Sequence, residues 1–256
     1  MSKIWAIADI HGCYKTLMAL MKKLPIDRKK DIVVFMGDYT DRGSRSKQVI
    51  EQLMKWNQQY PHWQFLYGNH EDLMLDALLY NGRIYHSYDL WWMQGGKETT
   101  SSYIPSERTD YEKAITNPLD VIPVEHIDWL RQRPYYFDSD KYFFVHGGVI
   151  PGTSLELLKK GLDEGIQKIQ QAVIWARDLF IDNNEDWGKK IIFGHTADGS
   201  GRYYNSKNEW GKKQKFMPIV KKNKIGIDCA VCPSACNKLC ALELPAEKFY
   251  FQDYVD

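Results

Sequence analysis

Five short polar clusters in this 256-residue chain carry the residue types that bind divalent metals and move protons. They are Asp9-Ile10-His11, Gly37-Asp38-Tyr39-Thr40-Asp41-Arg42-Gly43, Gly68-Asn69-His70-Glu71, His146-Gly147-Gly148 and Gly194-His195-Thr196. Four of the seven histidines lie inside them, which separates these from His62, His86 and His126, read as structural or exposed. Carboxylate, imidazole and carboxamide together suit Mn, Fe, Zn, Co or Ni better than a magnesium-only site. The donors divide into Asp9, His11 and Asp38 for one ion, and Asp38, Asn69, His146 and His195 for a second. Asp38 serves both because a carboxylate has two oxygens. Two ions roughly 3.5–4 Å apart lower the pKa of a bridging water and clamp phosphoryl oxygens, so hydroxide attacks phosphorus in line. Arg42 offers a planar fork to phosphate oxygens. His70 is the natural acid for the leaving oxygen, and Asp41 is the partner that orients and charges it. Any one of these residues alone reads as an ordinary turn or surface group; the five clusters together do not.

The clusters gain meaning from where they fall, which is at the ends of apolar runs. Lys3–Ala8, Asp31–Met36 and Trp63–Tyr67 read as buried strands. Between them, Tyr14–Leu24 repeats Leu17, Leu20, Met21 and Leu24 at helical spacing, and Pro25 stops it. A second helix carries Val49, Ile50, Leu53, Met54 and Trp56, with Ser44 as its expected cap. Another begins just after Asn69-His70. This β-α-β-α-β-α opening predicts parallel strands. Ligands in open α/β sheets gather beyond the carboxyl ends of strands, so all six donors are expected on one rim. Later, Val124–Arg133 reads as a helix that Pro134 ends, and Tyr135–Phe137 with Tyr142–Val145 as a hairpin. Lys190–Phe193, Phe216–Val220, Lys224–Asp228 and Leu239–Leu244 are strand-like. Helices dominate the early connections and strands the late ones, which favours two packed sheets with helices outside over a single doubly wound sheet. Asn81–Pro123 is irregular and aromatic-rich, and reads as a helical cap.

Charged residues are 26% and apolar ones 44%, with a formal net charge of +1, so composition offers no argument for nucleic acid or an acidic membrane as partner. No apolar stretch approaches transmembrane length. The apolar N-terminus reaches Asp9 and His11 too early for a signal peptide, so a cytoplasmic location is the default expectation. Of five cysteines, Cys13 stands alone while Cys229, Cys232, Cys236 and Cys240 cluster. That spacing matches no common zinc or iron–sulfur pattern, so buried structural thiols are favoured over a further metal or a labile disulfide, with Cys229 and Cys240 on paired strands.

The five clusters, with Gly37-Asp38-x-x-Asp41-Arg42-Gly43 the most specific, resemble the calcineurin-like metallophosphoesterases. More narrowly they resemble the phosphoprotein phosphatase branch in its bacterial and phage form. The resemblance covers roughly residues 3–244 and implies an α/β fold, a four-layer α-β-β-α sandwich with two mixed sheets flanked by helices. It implies one metallophosphatase domain over 1–256 with a helical insertion at about 81–123. Trp175-Ala176-Arg177-Asp178 resembles the family segment whose Arg contacts phosphate, which raises Arg177 from a locally paired Arg to a second clamp. Two divalent ions are implied, with manganese the usual one in bacterial members. The implied activity is hydrolysis of phosphate monoesters on phosphoserine or phosphothreonine proteins by a metal-bridging hydroxide; the alternative is symmetrical hydrolysis of diadenosine tetraphosphate. The implied partner is a phosphorylated protein or peptide, or a small phosphate ester. The Trp91–Tyr103 segment also resembles the bacterial branch, its aromatics serving either a substrate groove or the core.

Overall fold

The computed structural model describes residues 2–79, 88–105, 118–203, 215–234 and 237–256. Strands β1 (Ile4–Ile7), β2 (Ile32–Phe35) and β3 (Gln64–Phe65) run parallel, because a helix returns the chain between each pair. These helices are α1 (Tyr14–Lys23) and α2 (Ser46–Gln59), and α3 (Asn69–Leu79) follows β3. The late segments β9 (Lys238–Leu244) and β10 (Lys248–Asp253) add antiparallel to the other side of β1. The first sheet therefore has the order β10-β9-β1-β2-β3.

The second sheet has the order β4-β5-β6-β8-β7. Its hairpin is β4 (Tyr136–Asp138) and β5 (Tyr142–Val145), as the aromatic runs predict. Strands β5, β6 (Lys190–Phe193) and β8 (Lys224–Gly226) are parallel, and β7 (Ile219–Val220) pairs antiparallel with β8. Both sheets are mixed and helices flank them, which is the expected α/β sandwich. Helices α4 (Tyr88–Trp91) and α5 (Lys97–Ser102) lie in the aromatic insertion, joined by a π turn at Trp92–Gly96. Helices α6 (Val124–Arg131), α7 (Leu155–Asp163), α8 (Gln167–Ile174) and α9 (Asp178–Ile181) complete the described elements. No described helix is long and apolar enough to cross a membrane.

Several local expectations are corrected. Helix α2 starts at Ser46 with Arg45 at the cap position and no side-chain cap, so Ser44 does not play that part. Buried Ser46 instead turns its hydroxyl to Thr99 at 3.2 Å, a partner distant in sequence. Cys229 lies beyond β8 in the second sheet's connection while Cys240 lies in β9 of the first, so they are not on paired strands. The Cys240 side chain nevertheless reaches Cys229, and that hydrogen bond together with burial pushes the Cys229 thiol well above its ordinary pKa. Cys236 and the parts of the 81–123 insertion at 81–87 and 106–117 lie outside the described residues. Strand β10 escapes the sequence reading because only one of its six residues is buried, so it shows no clear alternation of buried and exposed positions.

The first sheet is anchored by aromatic packing on Phe35, which is fully buried. Its ring stacks on Phe65 with centroids 4.9 Å apart and on Trp56 at 5.8 Å, and meets Trp63 at 6.1 Å. Phe35→Ala removes the shared face of three rings and leaves a cavity. The expected loss is about 3–5 kcal/mol in urea unfolding at neutral pH, and a change below about 1 kcal/mol would contradict this account of the core.

Candidate dinuclear metal centre

The chain reverses direction at the carboxyl end of each parallel strand, and there the polar clusters fall. The backbone does so by entering the left-handed region at His11 (φ 46°), Asp38 (φ 51°), Asp41 (φ 70°), Arg42 (φ 66°) and His195 (φ 61°). Such conformations cost of order 1–3 kcal/mol each and persist only where the surroundings impose them. Here the loops hold one another. The Asp38 carbonyl accepts from the amides of Ile10 (3.0 Å) and His11 (2.9 Å), and Gly43 N–H donates to the His11 carbonyl (3.0 Å). Glu71, fully buried, accepts from the amides of Asp38 (2.8 Å), Tyr39 (2.8 Å) and Gly68 (3.1 Å). Burial, then the nearby Asp38 charge, lifts the Glu71 carboxyl to about 7.

These turns bring together all six predicted donors, each at most 7% exposed. Two compact groups form, His11–Asp38–His70 and Asp38–His146–His195, and Asp38 belongs to both. Its Oδ2 lies 3.6 Å from His11 Nε2, and its Oδ1 lies 3.3 Å from His146 Nε2. Burial alone would raise the Asp38 carboxyl; the His146 and His70 imidazoles outweigh it and hold the group well below the usual carboxylate range. Asp9 closes the floor from the other side. Its Oδ2 accepts the His195 amide (2.8 Å), which fixes the carboxylate and leaves Oδ1 without a hydrogen-bond partner. Gly194 permits this contact, since a Cβ there would stand 2.2 Å from Asp9 Oδ1.

Several atoms at this floor are better suited to a cation than to one another. Asp9 Oδ1 and His195 Nε2 are buried without a hydrogen-bond partner. His11 Nδ1–H donates to the Thr40 carbonyl (3.0 Å), which leaves its Nε2 lone pair facing the site. His146 Nδ1–H donates to the Met36 carbonyl (2.8 Å), so its Nε2 also faces inward, 2.9 Å from Asn69 Oδ1. Two acceptors that close are tolerable only with a positive charge between or upon them. A proton on Nε2 would answer this, since burial opposes the imidazolium but Asp38 outweighs burial and raises His146 to about 9, and a cation held there would take the place of that proton. Carboxylates, imidazoles with fixed tautomers and a carboxamide oxygen fit a pair of divalent cations.

The remaining predicted residues stand at the edge of this floor. His70 Nδ1–H donates to Asp41 Oδ2 at 2.7 Å. Arg42 reaches between two rings, donating from Nη1 to His11 Nε2 (2.7 Å) and from Nη2 to His70 Nε2 (2.9 Å). Arg177 approaches from the second sheet, its Nη1 3.4 Å from the His195 carbonyl. Among the other histidines, His126 pairs through Nδ1 with the Tyr103 hydroxyl (2.8 Å), and His86 lies outside the described residues. The sequence reading missed Glu71, Asp228, Trp91 and Thr99. Asp228 is a buried carboxyl raised by burial and sensing Arg42, Asp38 and His146. Its clue was its place just past β8, two residues after Gly226, as Asp9 stands two residues after Ile7 at the end of β1.

The helix that carries Arg177 at its start, α9, is fastened at its other end by Lys224. Lys224 is fully buried, and its Nζ donates to the carbonyls of Phe180 (2.5 Å) and Asn183 (2.6 Å) while lying 4.3 Å from the Phe180 ring centre. Burial, then the Lys221 charge, lowers its pKa from 10.5 to about 8. Between those values the unfolded chain binds the proton more tightly, so raising the pH favours the folded state. The unfolding free energy of the parent protein relative to Lys224→Met is expected to rise between pH 8 and pH 10. A pH-independent difference in paired denaturant titrations would rule out this charge as the cause.

Comparison with known proteins places this geometry. The profile of the Calcineurin-like phosphoesterase family matches residues 2–228. Serine/threonine-protein phosphatase 2 of Salmonella typhimurium is 27% identical over 204 residues, covering 75% of this chain and 78% of that one. The symmetrical bis(5'-nucleosyl)-tetraphosphatase of Janthinobacterium sp. is 30% identical over 175 residues, covering 68% of this chain. The matched stretch spans only 54% of that enzyme. The crystal structure of a cold-active protein-tyrosine phosphatase from a psychrophilic Shewanella has the same fold, with a TM-score of 0.57 at 17% identity over 100% of this chain and 81% of that one.

Proposed function

The chain belongs to the calcineurin-like phosphoesterases, and from that premise we propose that it is a two-metal phosphohydrolase that cleaves dinucleoside tetraphosphates symmetrically. The observation that carries the reaction class is the shared position of Asp38 between two donor groups, beside a guanidinium and a buried acid pair. Asp9, His11 and Asp38 hold one cation; Asp38, Asn69, His146 and His195 hold the other. When bound, the cations supply Lewis acidity and activate water at neutral pH, and manganese is the ion we favour.

The chain's own residues do the rest. Arg42 and Arg177 come from different sheets and bind the non-bridging oxygens of the phosphate. Arg42 Nη1 donates to the His11 Nε2 lone pair, and with that lone pair given to an ion this arm of the fork would be free to turn to substrate. With Arg42 turned to the substrate phosphate and a proton on Nε2, His70 gives that proton to the leaving oxygen, and Asp41 keeps the ring oriented through Nδ1. The preference for a tetraphosphate rests on similarity to several symmetrical tetraphosphatases, the Janthinobacterium enzyme among them.

One observation favours a second reading, a phosphoserine or phosphothreonine protein as substrate. Alkoxide is a poor leaving group that needs a proton, whereas a nucleoside diphosphate leaves readily without one. The ordered His70–Asp41 pair is therefore most useful against an ester. Similarity to the Salmonella protein phosphatase over most of both chains agrees with that.

Manganese-loaded protein assayed on diadenosine tetraphosphate, a phosphoserine peptide, a phosphotyrosine peptide and p-nitrophenyl phosphate separates the two. The expected result is the highest kcat/KM on the tetraphosphate, with ADP as the sole nucleotide product. A higher value on the phosphoserine peptide would transfer the conclusion to the second reading. For the site itself, His70→Asn is expected to lower kcat about 10²–10⁴-fold on an ester while leaving the metal content intact. Asp38→Asn should lower the bound metal below two per chain by elemental analysis; retention of both ions with full turnover would refute the bridging role.

A further inference from the structure

The insertion that follows α3 makes the contacts that hold Asp41. Asp41 is fully buried, and its two oxygens are divided between two tasks. Oδ2 accepts from His70 at 2.7 Å. Oδ1 accepts from the Thr99 hydroxyl at 2.7 Å and from the Trp91 indole N–H at 3.1 Å. Thr99 Oγ1 also accepts the Asp41 amide at 2.8 Å, so one hydroxyl secures both ends of the residue. Thr99 and Trp91 are themselves fully buried.

The turn between them is fitted to the same backbone. Gly95 adopts φ 116°, and a Cβ there would stand 2.2 Å from the amide nitrogen of Arg42. The indole of Trp91 lies against Gly96, where a Cβ would meet it at 2.5 Å. Thr100 closes the turn by donating to the Gly96 carbonyl (2.9 Å). No Lys or Arg is recorded in hydrogen-bond or ion-pair contact with Asp41 among the described residues, so the direction of its carboxylate depends on hydrogen bonds. A carboxylate free to rotate would offer His70 a worse angle, and hydrogen bonds weaken steeply with angle.

We infer that Trp91 and Thr99 are positioning residues for the acid pair, through which the insertion controls how well the protein expels a poor leaving group. The inference rests on the acid role proposed for His70. In that step the oxygen of water bonds to phosphorus and the bond from phosphorus to the leaving oxygen breaks. The leaving oxygen keeps the electron pair and takes the His70 proton; the attacking water gives up one proton to solvent, and solvent returns one to His70. A leaving group that is stable as an anion gains little from this proton; a basic one depends on it.

The test compares p-nitrophenyl phosphate with phenyl phosphate, whose leaving group is the more basic. Thr99→Val is expected to lower kcat on phenyl phosphate about tenfold more than on p-nitrophenyl phosphate, with KM within about twofold. Thr99→Ser should restore the parent ratio, and Trp91→Phe should shift it the same way by less. On a His70→Asn background, Thr99→Val should add nothing. Trp91→Phe keeps the test decisive if Thr99→Val fails to fold. Equal losses on both esters, losses that multiply with His70→Asn, or loss of bound metal in a folded variant would overturn the inference. A parent protein inactive on both esters, or indifferent to His70→Asn, would instead overturn the acid role, and this inference with it.

Discussion

A carboxylate removed from water costs several kcal/mol unless charges and hydrogen bonds surround it. Asp38 is such a group, and its partners arrive from every part of the fold. Its carbonyl receives the loop after β1, its amide reaches Glu71 on α3, and its Oδ1 accepts the His70 amide. Its carboxylate then faces His11 from the first sheet and His146 from the second. The two sheets therefore meet around one anion. Their relative placement and the geometry of the donors are the same problem, and a shift of either sheet would leave that charge uncompensated.

The surroundings of Asp38 also explain why strain collects there. Left-handed residues at His11, Asp38, Asp41, Arg42 and His195 aim side chains across the strand ends instead of along them. The compensation comes from backbone hydrogen bonds between adjacent loops and from Glu71, which gathers three amides on one carboxylate. This is a division of labour between charge and backbone. Residues facing the floor are left with lone pairs directed inward, while their other atoms are committed to carbonyls. Asp9 Oδ1 and His195 Nε2 are left without a hydrogen-bond partner, so both are available to a cation.

The acid pair is organised differently. Asp41 sits behind the floor and is oriented by Thr99 and Trp91, from a segment that contributes none of the predicted metal donors. The aromatic residues that suggested a groove divide: Trp91 and Tyr103 are buried supports, while Trp92 is only partly buried. In the proposed mechanism the orientation of the acid pair draws on the insertion while the predicted metal donors come from the strand ends, the two meeting at His70 and at the consecutive residues Asp41 and Arg42.

The donor set was legible in the chain because each donor is a polar residue placed directly after an apolar run. That is a local signal, and it carried Asp9, His11, Asp38, Asn69, His146 and His195 to one rim, as the structure places them. The β-α alternation was legible for the same reason, since period and chain breakers act within a few residues. What only the tertiary structure decided are contacts between distant segments. Thr99 and Trp91 reach Asp41 from 58 and 50 positions away, and His146 reaches the Met36 carbonyl from 110. No periodicity marks such pairs. They arise because burying the Asp38 and Asp41 carboxylates forces the nearest donors, wherever they stand in the chain, to turn toward them.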